Sequence, residues 1–290
     1  MNGIVIIDKP ADWTSHDVVA KLRGVFKIKR IGHGGTLDPM ATGVLPVFTG
    51  RATRAAEFCE NAEKEYVAGL RLGVVTDTQD TTGSVIQSVT ASVSAAELSA
   101  VIPKFLGAQK QTPPMYSAVK IGGKKLYELA RRGIETPRTP RDIFISDIEL
   151  LEGGGDEFSL RIVCSKGTYV RTLCHDIGQA LGCGGTMSSL RRTRAGAYTI
   201  GMAYTLGEVI DAVSRGEPEC VVTPVDSIFS EYPAATLNDE DAKKCKHGSL
   251  NCIEGSPDGK FRFYDPDGVF MALGEVKSGK VKIIKSFYEV

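Results

Sequence analysis

The densest chemistry in this 290-residue chain lies in one stretch, Ile31-Gly-His-Gly-Gly-Thr-Leu-Asp38-Pro-Met-Ala-Thr-Gly43-Val-Leu-Pro-Val. It sets one imidazole, His33, and one carboxylate, Asp38, among glycines that permit positive φ and close approach of a ligand or another backbone. Pro39 restricts Asp38 to an extended conformation, so the carboxylate is presented rather than folded back as a cap. Spacing alone leaves several readings open: a structural turn in which Asp38 accepts from backbone amides, carboxylate-dependent glycosidic chemistry, or a metal-dependent hydrolase. No second carboxylate occupies a comparably rigid loop, which weakens the glycosidase reading. His16, His175 and His247 have no partner at metal-ligand spacing, so no metal is expected. Arg171 and His175, four residues apart at the start of a helical pattern, read by themselves as a solvated face.

These groups need elements to hold them. Residues 4–7 form a short apolar run, expected as a buried strand that stops at Lys9-Pro10 because proline has no N–H for the next pairing. Thr14 and Asp17 fit a capping box for a helix with Val18, Leu22, Val25 and Phe26 on one face. Five glycines and two prolines over residues 32–50 argue against another helix before Gly50. Residues 66–72 alternate with period two, a strand carrying Tyr66, and 76–84 is a polar turn. An amphipathic helix is expected from Ser94 to Leu106, and a hairpin from 142–151 and 157–164 around Gly153-Gly154-Gly155. Val170, Leu173, Cys174, Ile177 and Leu181 then share one helix face. Between them, residues 109–141 are basic and punctuated by Pro113, Pro114, Gly122, Gly123, Pro137 and Pro140, a surface insertion with one short helix near Leu126–Arg131. After Pro233 the pattern changes to a short helix at Asp239–Lys246 and short strands at Phe261–Tyr264, Val269–Leu273 and Val281–Ile284. The expected organisation is a large domain over 1–229 and a small β-rich one over 230–290.

The formal net charge is zero, yet residues 1–54, 104–141 and 161–194 carry excesses of four, seven and five positive charges. Gathered on one face, they would attract a polyanion; scattered, they are three solvated surfaces. The hydrophobic content of 42% and charged content of 24% are those of a globular chain. No apolar run is long enough to span a membrane. The first residues lack the basic segment of an export signal, and the seven cysteines include no C-x-x-C pair, so reduced thiols in the cytoplasm are expected.

Several blocks, in order, resemble one family. GHGGTLDPMATGVLPV is similar to the catalytic loop of the TruB-type tRNA pseudouridine synthases, the enzymes that make pseudouridine 55. GIVIIDKPADWTSHDVV resembles their lysine–proline segment, and KEYVAGLRLGVVTDTQDTTG their tyrosine-bearing strand and the turn after it. QTPPMYSAVKIGGKKLYELARRGIE resembles the RNA-binding insertion, and CSKGTYVRTLCHDIGQALG the motif with a tyrosine and an arginine. The tail FRFYDPDGVFMALGEVKSGKVK is similar to the PUA-like RNA-binding domain. Gly34 departs from the pattern, where a small hydroxyl residue is common; a looser loop is expected there.

The resemblance implies an α+β pseudouridine synthase fold, with a mixed, largely antiparallel central sheet flanked by helices and a small PUA-like domain. It implies Asp38 as the essential aspartate, Tyr66 as the tyrosine stacking on the target base, and Arg171 as the arginine paired with the aspartate. Tyr169 matches the second site tyrosine, His33 a histidine that helps hold the turned-out nucleotide, and Lys9 and Pro10 the segment lining the site. Lys120, Lys124, Lys125, Arg131 and Arg132 would grip phosphates. The implied reaction is isomerisation of uridine 55 in the T-arm of tRNA by a monomer needing no cofactor, metal, membrane or obligatory protein partner. Two other readings are a non-catalytic RNA-binding protein on the same scaffold and a guided synthase working inside a small-RNA complex.

Overall fold

The computed structural model describes residues 1–253 and 257–288. Strand β1 (Gly3–Lys9) is buried along nearly its whole length and ends where Pro10 removes the next donor. Helix α1 (Ser15–Phe26) starts at Thr14, whose capping box with Asp17 closes in both directions, and buries Val18, Val19 and Leu22. β2 (Ile31–His33) and β3 (Thr42–Thr49) flank the Asp38 loop. After the short α2 (Ala56–Asn61), β4 (Lys64–Leu72) buries every second residue, Tyr66 among them. The polar turn lies between β5 (Val74–Thr76) and β6 (Val85–Ser88). α3 (Ala95–Val101) tightens into a 3₁₀ turn over Ile102–Phe105, at Pro103.

β7 (Gly107–Gln111) leads into the basic insertion, which holds the two-residue strands β8 (Lys120–Ile121) and β9 (Lys124–Lys125) and the single helical turn α4 (Leu126–Ala130). The chain returns in the hairpin of β10 (Arg141–Gly154) and β11 (Glu157–Cys164) and continues into α5 (Val170–Ala180). β12 (Gly185–Ala195), β13 (Tyr198–Thr199) and α6 (Leu206–Ser214) complete the larger body. β14 (Ala234–Thr236), α7 (Asp239–Lys246), β15 (Gly259–Tyr264), β16 (Phe270–Lys277) and β17 (Lys280–Ser286) form a four-stranded C-terminal sheet with one helix.

The main sheet runs β1-β3-β12-β4-β11-β10-β7, with β2 beside β3 and β13 beside β12. Its pairs are antiparallel except β3–β12, where Thr42 and Gly43 face Arg191 and Arg192 in parallel. This is the expected α+β class with a mixed, largely antiparallel sheet. Among the described residues no helix is long and apolar enough to cross a membrane.

One central element lacks a sequence signal. β12 is central, yet GTMSSLRRTRA shows no clean alternation, because register shifts at Met187/Ser189 and Arg192/Arg194 break the period of two. The insertion is shorter than its composition suggests. Residues 107–111 pair with 141–145, so the excursion covers 112–140 and closes at the Gln111–Arg141 pair. The C-terminal sheet is packed rather than tethered: Leu273 and Phe287 share a buried cluster with Ile4, Ile6, Phe48 and Phe229. Arg54 donates to Ser286 Oγ at 2.8 Å, and Lys285 pairs with Glu57.

Candidate active site

Asp38 sits between β2 and β3 on a loop anchored from three sides. At the first turn of α1, Ser15 Oγ accepts the Leu37 N–H at 2.9 Å and donates to the Leu37 carbonyl at 3.2 Å. From β1, Lys9 Nζ donates to the carbonyls of Pro10 (2.8 Å), Trp13 (2.6 Å) and Pro39 (3.0 Å). From β12, Arg192 Nε donates to the Val44 carbonyl at 2.7 Å and Nη2 to the Gly35 carbonyl at 3.1 Å. Gly43, at φ +100°, crosses the backbone of Arg192 so closely that a Cβ would collide with it. Gly34 is equally constrained. A Cβ there would lie 2.8 Å from both Cys59 Cβ and Phe48 Cε2, so the loop is tight at this position, which corrects the looser loop expected from its departure.

Arg171 projects from the first turn of α5, is 6% exposed, and faces three acceptors. Its Nη2 lies 3.2 Å from each oxygen of the Asp38 carboxylate and donates to the Tyr116 carbonyl at 2.8 Å. Its Nη1 donates to Asp80 at 3.4 Å. A third of the Asp38 side chain remains open to solvent. Desolvation pushes the Asp38 carboxyl above the usual carboxylate range, while the Arg171 charge pulls it back and Asp80 adds a smaller upward push. A guanidinium on the inner side fixes the carboxylate's orientation and leaves its outer side for a substrate.

Asp80 lies in the turn of a family-like block but is assigned no role of its own by the sequence. It is 4% exposed and accepts from Thr78 Oγ1 (2.8 Å), Thr82 N (3.0 Å) and Thr82 Oγ1 (2.5 Å) as well as from Arg171. The turn is held to α5 by Thr172 Oγ1 donating to Gln79 Oε1 at 2.7 Å. Its density of Asp and Thr is visible, but an isolated polar turn has no periodicity to tell a buried carboxylate from an exposed one. Ser15, Gln111 and Tyr116 fall within family-like blocks but have no residue-type signal of their own there, and Arg192 lies outside those blocks.

Tyr66 is buried on β4; burial raises its hydroxyl pKa, opposed by the Arg192 guanidinium against it, and the Asp38 charge reaches it too. The Tyr169 ring lies beside Arg171, centroid to guanidinium carbon 5.9 Å. Asp38, Tyr66 and the Tyr169–Arg171 pair therefore come together from three distant parts of the chain. His33 lies on β2, its pKa lowered by burial and by Arg192, with Nδ1 buried and without a hydrogen-bond partner among the described residues.

Lys9 departs from the expectation that it contacts RNA. Lys9 has no exposed surface and spends its donors on three carbonyls, beneath the loop rather than facing a substrate. Burial brings its ammonium down to about 8 despite Asp12 and Asp38 nearby. Pro10 is half-buried and lines a groove of about 380 Å³ with Asp8, Thr42 and Arg191. In the insertion, Lys120, Lys124, Arg131 and Arg132 are exposed, while Lys125 is half-buried. The Lys125 ammonium and the Arg131 guanidinium each lie 5.4 Å from the Tyr127 ring centroid.

Comparison with known proteins now decides the family. The model described as the N-terminal domain of TruB family pseudouridylate synthases matches residues 23–170. That described as the tRNA pseudouridylate synthase B C-terminal domain matches 171–230. This chain belongs to the TruB family of pseudouridine synthases. It is therefore an isomerase. A tRNA pseudouridine synthase B of Francisella tularensis subsp. tularensis (strain WY96-3418) is 40% identical over 294 residues, covering 100% of this chain and 95% of that protein. One from Dechloromonas aromatica (strain RCB) is 40% identical over 279 residues, covering 96% and 93%. Among solved structures, a chain of a Cbf5-Nop10-Gar1 complex superposes with TM-score 0.74 at 29% identity, covering 99% of this chain and 85% of that one. A chain of an H/ACA RNP bound to a substrate RNA containing 2'-deoxyuridine gives 0.73 at 26%, covering 99% and 85%.

Proposed function

We propose that this chain converts uridine 55 in the T-arm of tRNA to pseudouridine, acting alone in the cytoplasm as a monomer without cofactor or metal. The observation that carries this reading is the Asp38 carboxylate, 3.2 Å from Arg171 Nη2, on an anchored loop with part of its surface open. The reaction breaks the N1–C1′ bond, turns the uracil and joins C5 to C1′, with no redox change. A carboxylate serves such chemistry as a nucleophile or by stabilising positive charge at C1′. Arg171 favours its ionised form and fixes its direction. The target base must leave the RNA stack, and an aromatic ring such as Tyr66 replaces the lost stacking, worth about 1–3 kcal/mol per base.

In this reading residues 1–229 carry catalysis, His33 and Tyr169 hold the nucleotide, and Lys120, Lys124, Lys125, Arg131 and Arg132 grip phosphates. Residues 230–290 form a PUA-like RNA-binding module. The names of full-length relatives from Francisella tularensis and Dechloromonas aromatica support tRNA as substrate. The experiment is pseudouridine mapping in a tRNA transcript after incubation with purified protein. Modification at position 55 by the wild type and its loss in Asp38→Asn, with RNA still bound, is the expected result. A bound but unmodified transcript, with no hydrogen released from uridine C5, would favour a non-catalytic RNA-binding role.

A second reading, action within a guided complex, is favoured by the solved neighbours, which come from a Cbf5-Nop10-Gar1 complex and an H/ACA RNP. Turnover on a bare transcript with no added protein or RNA separates the two.

A further inference from the structure

The excursion 112–140 is rooted directly on α5. Gln111 is the last residue of β7, 6% exposed, and its side-chain amide pairs with both backbone groups of Tyr169. Nε2 donates to the Tyr169 carbonyl at 3.1 Å, and Oε1 accepts the Tyr169 N–H at 2.8 Å. Tyr169 is the N-cap residue of α5 and has no side-chain cap of its own. Its carbonyl also accepts the Leu173 N–H at 3.1 Å, the first intrahelical bond. Gln111 therefore supplies to Tyr169 the two bonds a neighbouring strand would give, and so sets where α5 begins. Five residues on, the Tyr116 carbonyl takes the shortest hydrogen bond that Arg171 makes. The intervening Pro113 and Pro114 are buried, and the Pro113 carbonyl accepts from Arg138 at 3.2 Å, so both ends of the excursion meet there. The segment from Gln111 to Tyr116 thus grips the first turn of α5 at Tyr169 and at Arg171.

We propose that Gln111 is a positioning residue for pseudouridine formation: through the Tyr169 backbone it fixes the first turn of α5, and with it the Arg171 guanidinium against Asp38. This ties the base of the RNA-gripping excursion to the reacting carboxylate. It rests on the functional reading above.

Two variants test it. Gln111→Met keeps length and loses both bonds. Gln111→Glu keeps an acceptor for the Tyr169 N–H and, when ionised, sets a negative oxygen against the Tyr169 carbonyl; protonated, it regains a donor. The single-turnover rate at saturating tRNA should fall by about tenfold or more in Gln111→Met, with tRNA affinity within about threefold of wild type. For Gln111→Glu, the rate relative to wild type at the same pH should rise as pH falls. Amide exchange at Tyr169 should quicken in Gln111→Met while the rest of the main sheet stays protected. A Gln111→Met rate within about twofold of wild type overturns the proposal, as does a loss carried wholly by weaker tRNA binding. A pH-independent Gln111→Glu ratio overturns it too, and does so even where Gln111→Met fails to fold. A wild type inactive on tRNA would defeat the functional reading, while Tyr169 exchange would still decide whether Gln111 holds α5.

Discussion

The Asp38 loop and the basic excursion use the same residue types in opposite ways. Under the loop, Lys9 and Arg192 are almost wholly buried, and their donors go to carbonyls of the loop and its flanks. Along the excursion, Lys120, Lys124, Arg131 and Arg132 face solvent. A buried cation with satisfied donors acts as a clamp; an exposed one is free to meet a mobile polyanion. Chemistry at one carbon needs its carboxylate held still, whereas a phosphate backbone is gripped by charges that need not be rigid.

Breaking the clamp should have the largest effect on stability. Lys9→Met leaves the carbonyls of Pro10, Trp13 and Pro39 without their ammonium donor. Urea unfolding should show a loss of about 2–3 kcal/mol, accompanied by slower turnover. Next is Gly34→Ser, which restores a hydroxyl residue but drives a Cβ into Cys59 and Phe48. It should cost about 1–3 kcal/mol in the same assay, and no loss would show that the loop can relax there.

The excursion should behave in the reverse sense. Lys124→Ala with Arg131→Ala should leave stability within about 0.5 kcal/mol. It should weaken tRNA binding and flatten the dependence of log Kd on log salt by about one unit for each phosphate no longer neutralised. An unchanged slope would place the RNA elsewhere. The smallest effect is on the pH profile. Burial raises the Asp38 pKa, so protonation removes the reactive carboxylate as pH falls, and the acid limb of turnover should be centred above 3.8. A limb at or below that value would mean the Arg171 charge outweighs burial.

The contrast also shows what the sequence could and could not display. Elements governed by local chemistry were legible: the Thr14–Asp17 box, the stop at Pro10, the alternation through Tyr66 and the hairpin at 142–164. Asp38, Tyr66, Tyr169 and Arg171 were singled out through the resemblance, and the fold brings them near one another. Hidden were the polar groups whose burial is decided by tertiary contacts. Arg192 lies on a strand whose two bulges erase its alternation. Asp80 hides in a turn, and Gln111 closes a strand whose partner lies beyond an excursion of unrelated composition. The task of Lys9 was hidden too, because a lysine before a proline gives no sign that three carbonyls will surround it. Gly34 looked like slack for the same reason: Cys59 and Phe48 reach it only in the fold.

The proposal that Asp38 carries the chemistry is tested most directly by one measurement. Purified wild type and Asp38→Asn are incubated with a uniform tRNA transcript, and pseudouridine is mapped at each position while binding is measured alongside. The expected result is modification of uridine 55 by the wild type and a loss of several orders of magnitude in Asp38→Asn with tRNA still bound. Near-normal turnover in Asp38→Asn would contradict it.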